Sequence, residues 1–198
     1  MQLAAQERGS TACDLLYAAT NEEYTYAPKN EPHIALNFSH RLAKVILKFV
    51  DLEKNPLEVS NVRIEGLQTE ASFNVQTDVL TVDESSVATI TPYHNATTGF
   101  YEAIILPTAL KDSYKVSFVL DDREKEWIFT NLDIALPQFH KGYSYTFALY
   151  IDDSGFVEMG RLENVDGGNS SAPWEDGSSE DGTAEGDRLL YQDMPSHL

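Results

Sequence analysis

Apolar and polar positions alternate with a period of two through most of the chain, and helical periodicity is scarce. In the run His33–Val45, Ile34, Leu36 and Phe38 share one phase and Ala35, Asn37 and Ser39 the other. After His40 the phase shifts, so that Val45, Leu47 and Phe49 alternate with Ile46, Lys48 and Val50, which predicts a bulge or bend. Val62 and Ile64 form a short strand stopped by Gly66, and residues 72–77 and 79–82 form a hairpin turning near Thr77-Asp78. Further strands are predicted at Val87–Thr91, ended by Pro92, and at Tyr101–Leu106, ended by Pro107. Val116, Phe118 and Leu120 face inward before Asp121-Asp122-Arg123 turns the chain into Glu126–Phe129. Tyr143, Tyr145, Phe147, Leu149 and Ile151 make the clearest inward face, and Asp152-Asp153-Ser154-Gly155 turns it into Phe156–Leu162.

Eight to ten short strands separated by turn signals describe an all-β, antiparallel sandwich. The pattern divides the chain into weakly patterned residues 1–30, read as a remnant or linker from a preceding domain, a sandwich over 31–165, and a Gly/Ser-rich acidic tail over 166–198 that reads as extended and flexible. Trp174 stands alone in that tail, either as an anchor back onto the body or as a plug for a partner's groove.

Composition narrows the function. The 198 residues carry 32 acidic against 14 basic side chains, a net charge of −18, which argues against nucleic acid and against docking on anionic lipid. Solubility and mutual repulsion at a crowded surface account for the acidity. Cys13 is the single cysteine and has no internal disulfide partner. No run approaches the ~20 apolar residues of a membrane span, so no membrane insertion is expected. No basic and apolar leader precedes Cys13, which leaves a cytoplasmic protein or an internal start within a longer gene.

Candidate chemistry is sparse. The five histidines lack helical zinc spacing, and His40 and His140 read as local hydrogen-bonding groups. There is no nucleophile elbow and no phosphate loop, and the carboxylates are scattered through turns, so no catalytic, cofactor-binding or metal-binding residues are assigned and no cofactor is expected. Asp152-Asp153-Ser154-Gly155 lacks the spacing of a calcium loop and reads as a hairpin turn. The stripe Tyr143, Tyr145, Phe147 with Trp127 reads as core rather than a sugar platform.

Several motifs carry a family resemblance: Asp14-Leu15-Leu16-Tyr17-Ala18, Phe38–Val45, Val62–Leu67 with Ala71–Asn74, Ile104–Thr108, Phe139–Tyr145 and Ala172–Gly177. In this order they resemble the second domain of the Bacteroides-type fimbrillin-like (Mfa-like) surface proteins, over roughly residues 10–180. The resemblance implies a transthyretin-like sandwich of Greek-key type, export to the cell surface and outer membrane, and a pilus subunit, structural or adhesin, that assembles by strand addition with other fimbrial subunits. It also favours the internal start, because a first domain and a lipid-carrying cysteine are missing; His140 stands where the family has Pro, and residues 188–198 are atypical. The Phe156–Trp174 arm is the expected donor strand or clasp, with Val157, Met159, Leu162, Val165 and Trp174 as assembly residues. A host or bacterial surface glycan or protein is a further expected partner. The alternatives are a stand-alone carbohydrate- or host-ligand-binding module, which solvent-exposed Tyr93, Tyr101 or Tyr150 on one face would support, and a secreted inhibitor or immune-decoy sandwich, which an inserted, mobile loop at Thr91–Phe100 would favour.

Overall fold

A computed structural model describes residues 3, 6, 13–19, 36–132 and 136–167. These residues form twelve strands and no helix: β1 (Leu16–Tyr17), β2 (Ser39–His40), β3 (Ala43–Asp51), β4 (Ser60–Glu65), β5 (Ala71–Asn74), β6 (Val79–Val82), β7 (Tyr93–His94), β8 (Tyr101–Ile105), β9 (Lys115–Leu120), β10 (Arg123–Ile128), β11 (Tyr143–Ile151) and β12 (Val157–Gly167). A five-stranded sheet runs β12-β11-β3-β8-β7 and a three-stranded sheet β10-β9-β4, with two-stranded ribbons β1-β2 and β5-β6 beside them.

The alternation read from the sequence explains the core. Val45, Leu47 and Phe49 of β3 and Tyr145, Phe147, Leu149 and Ile151 of β11 join Val62, Ile64, Val116, Phe118 and Trp127 of the smaller sheet in one buried cluster. Side chains on a strand point to alternate faces, so each sheet contributes one face to this shared layer. Trp127, Tyr145 and Phe147 are buried, which settles the aromatic stripe as core. Burial pushes the Tyr145 phenol up to about 12, and its oxygen accepts the His140 N–H at 2.8 Å.

The turns follow from local chemistry. Asp121 and Asp122, both at positive φ (50° and 60°), make the tight connection between β9 and β10. Gly66 ends β4 with φ at +88°, where a Cβ would lie 2.2 Å from the Ser113 carbonyl oxygen.

The structure corrects three expectations. The sheet is not purely antiparallel, because β11 and β3 pair in parallel from Ser144↔Lys44 to Ile151↔Asp51. Leu36 and Phe38 are exposed and lie outside any strand, since the ribbon that follows pairs only with β1; Ile34 lies outside the described residues. Val87–Thr91 is not a full strand but makes isolated bridges, Gln68↔Val87 and Ile64↔Ile90.

Two motifs distant in the sequence meet in the β1-β2 ribbon. Leu16 pairs with His40 and Tyr17 with Ser39. Asp14 Oδ2 lies 2.7 Å from His40 Nδ1, and the Arg41 guanidinium sits 5.0 Å over the Tyr17 ring. Leu3, in the stretch expected to be a linker, is fully buried with Leu42, Ile104 and Leu106 in a second, smaller cluster on the outer face of the large sheet.

Candidate assembly surface

A protein that assembles through strands shows it at its sheet edges, where unpaired backbone groups invite another chain. The large sheet has two such edges, β12 and β7.

β12 is built by its turn. Asp152 Oδ1 accepts hydrogen bonds from the Ser154 and Phe156 backbone N–H groups, both at 2.9 Å, and from the Ser154 hydroxyl at 2.6 Å. The Ser154 hydroxyl first, and then the Phe156 N–H, hold the Asp152 carboxyl below the usual carboxylate range. Gly155 completes the turn at φ +77°. β12, eleven residues long, then pairs antiparallel with β11 through nine residue pairs, with register shifts after Thr146 and after Tyr150 that bend the ribbon.

The seat of β12 is specific. A Cβ on Gly160 would lie 2.1 Å from the Trp127 ring, so only glycine lets the indole lie against the strand. The indole N–H is fixed by donating to the Asn131 carbonyl at 3.1 Å. Lys125 of β10 donates to the Ser154 carbonyl at 3.1 Å, tying the smaller sheet to the β11–β12 turn. Leu132 bridges Gly160 in parallel.

The expected assembly residues distribute along this strand. Val157 and Leu162 are half-buried against the main core. Met159 pairs with Tyr150 and Val165 with Tyr145. Trp174 lies outside the described residues. The sequence reading missed Gly160 and Trp127 as a pair; a glycine inside an otherwise regular strand is the signal that could have exposed it.

The β7 edge is built differently. β7 has two residues, and the chain closes at once through Asn95, whose N–H donates to Phe100 O at 2.9 Å and whose side chain accepts from Thr97 N–H at 3.0 Å. The Asn95 amide donates to Glu102 Oε1 at 3.0 Å, and Glu102 Oε2 lies 2.8 Å from Lys44 Nζ. Both members of this ion pair are buried. Farther along β8, the Gln6 side-chain amide accepts the Ile104 N–H at 2.8 Å and donates to the Ile104 carbonyl at 2.6 Å. One side chain thus takes the place of a neighbouring strand residue.

Tyr93, Tyr101 and Tyr150 are half-buried. Tyr101 donates to the Val59 carbonyl at 2.6 Å and packs edge-on against Phe49, and the Thr91–Phe100 loop is the one closed by Asn95.

The sequence matches the fimbrillin-like family over residues 2–174. No curated protein matches the chain. A crystal structure of a candidate cell adhesion protein from Bacteroides uniformis superposes with a TM-score of 0.68 at 21% identity, covering 84% of this chain and 64% of that one. A second, from Bacteroides ovatus, superposes at 0.52 with 18% identity, covering 68% of this chain and 48% of that one. The likeness establishes the fold, and this chain spans less than two thirds of either relative.

Proposed function

This chain belongs to the fimbrillin-like family, and from that premise we propose that it is a fimbrial subunit, structural or adhesin, that assembles by strand addition at the bacterial cell surface. The observation that carries the reading is β12: an eleven-residue strand at the margin of the large sheet, seated by side chains that define one register. In the free subunit β12 completes its own sheet. In the polymer the same strand completes a neighbour's, placing Val157 and Leu162 against the neighbour's core and Gly160 under its Trp127. Met159, Val165 and Trp174 extend that donor segment. The sheets then belong to a transthyretin-like sandwich of Greek-key type. Residues 1–30 are the hand-over from a preceding domain, 31–165 the sandwich and 166–198 an acidic tail. The partners are other fimbrial subunits at the outer membrane, with a surface glycan or protein as the adhesion target. The role is structural, not enzymatic.

Peptide competition tests this. Size-exclusion chromatography with light scattering should show multimers of the full chain that resist cold SDS. Excess synthetic peptide of residues 156–174 should convert them to a monomer–peptide complex. A chain that stays monomeric at high concentration, or multimers indifferent to the peptide, would sink the strand-exchange reading.

A further inference from the structure

An open cleft of about 500 Å³ lies where the β5-β6 hairpin meets the His140-Lys141 turn, lined among others by Arg41, Asp78, Pro107, Gln138, His140 and Lys141. Its charge is unlike that of the rest of the chain. Arg41 Nε lies 2.6 Å from Asp78 Oδ1 and Lys141 Nζ 3.4 Å from Oδ2, so two bases share one carboxylate. The cluster on the smaller sheet has the opposite balance, with Arg63 and Lys115 facing Glu65, Glu124 and Glu126. Gln138, His140 and Lys141 are exposed, so their donors face solvent at the mouth of the cleft. In a chain of net charge −18, this is a concave place with base in excess.

The chain supplies a complementary segment. Glu175–Asp187 carries six carboxylates (Glu175, Asp176, Glu180, Asp181, Glu185 and Asp187) and no base. It begins directly after residue 174, where the family match ends. β12 delivers it to the right place, because its last residue, Gly167, pairs with Tyr143, two residues from Lys141. The eight residues from Gly167 to Glu175 reach about 28 Å when extended, whereas the pairing partner and two further residues separate Gly167 from Lys141 by roughly 12 Å. A short tether of this kind holds the segment at an effective concentration on the order of millimolar.

We propose that the cleft is a binding site for an acidic peptide and that its occupant is the chain's own segment Glu175–Asp187, folded back in cis onto Arg41, His140 and Lys141. The cis contact requires β12 in its own sheet, where Gly167 pairs with Tyr143 of the same chain, so it belongs to the free subunit. The contact is salt-sensitive, since the Debye length falls from about 10 Å at 0.1 M to about 3 Å at 1 M.

Zero-length carbodiimide cross-linking of the full chain tests it. Monomer fractions of unlabelled and nitrogen-15-labelled protein, isolated by size exclusion, are mixed in equal amounts at low salt and at a dilution that keeps them monomeric, then coupled, digested and analysed by mass spectrometry. Lys141 should join carboxylates of 175–187 within one isotopic species, about tenfold more than exposed Lys54 does, because tethering rather than random encounter sets the yield. Lys54 follows the far end of β3, so it reports random encounter. At 1 M salt the excess should vanish. A variant with all six carboxylates changed to amides should shift no other Lys141 product, including the link to Asp78. Links at the Lys54 level, links chiefly between light and heavy chains, or a yield unchanged by salt would each overturn the proposal.

Discussion

The two edges of the large sheet solve the same problem in opposite ways. At the β7 edge the strand is cut to two residues, a buried asparagine closes the chain, and the Gln6 amide satisfies both backbone groups of Ile104. Beneath it, Lys44 and Glu102 are locked together out of solvent. That edge is finished from within and offers little to another strand. At the β12 edge an eleven-residue strand is left whole and held by shape: glycine under indole, and two half-buried aliphatic side chains against the core. Polar closure is specific to one chain, whereas a shape-fitted strand can be supplied by any copy carrying the same sequence. On the strand-exchange proposal, the contrast puts assembly at β12 and closure at β7.

The largest effect should come from the closed edge. Glu102→Ala strands the Lys44 ammonium in the interior, and loss of about 3–5 kcal/mol in urea unfolding is expected. A value under 1 kcal/mol would mean that the pair does not hold the edge. Next comes the open edge. Gly160→Ala drives a methyl into Trp127 and should cost about 1–3 kcal/mol, with faster amide exchange confined to β12. Gln6→Ala should cost about 1–2 kcal/mol by orphaning the Ile104 backbone and should accelerate exchange in β8 while leaving β12 alone. If the two variants loosened the same strands, the edges would not be independent. The smallest effect belongs to the β11–β12 turn. The folded carboxyl of Asp152 titrates below its unfolded value near 4, so its contribution is present above that value and disappears as pH falls through the folded one. Asp152→Ala should therefore lower the melting temperature slightly at pH 7 and leave it unchanged once the pH has fallen below the folded value. A difference that persisted in acid would mean that the turn does not depend on the charged carboxylate.

Much of the central layer was legible in the sequence because it obeys period two. Val45, Leu47, Phe49, Tyr145, Phe147 and Leu149 announce their faces without reference to any other strand. The Thr77-Asp78 and Asp121-Asp122 turns were legible for the same local reason. Pairing was not. Nothing in β3 or β11 reveals that they run parallel, and nothing near Asp14 reveals that its partner is His40, because both depend on loop closure across long stretches of chain. Leu36 and Phe38 misled because alternation marks a strand-like segment without marking what it packs against. The candidate site was half legible: Val157 and Leu162 lay in the arm singled out for assembly, but the Gly160–Trp127 fit joins residues 33 positions apart and exists only once both sheets are in place.

Locking β12 in place tests the central claim most directly. Thr146 and Asn164 are paired neighbours on β11 and β12, at a Cα separation of about 5 Å that a disulfide spans. In a Cys13→Ser background, Thr146→Cys with Asn164→Cys should close that bridge within one chain. Light scattering of the oxidised protein should then show monomer only, and reduction should restore the multimers of the parent chain. Oxidised protein that assembles as readily as reduced protein would contradict β12 as the exchanged strand.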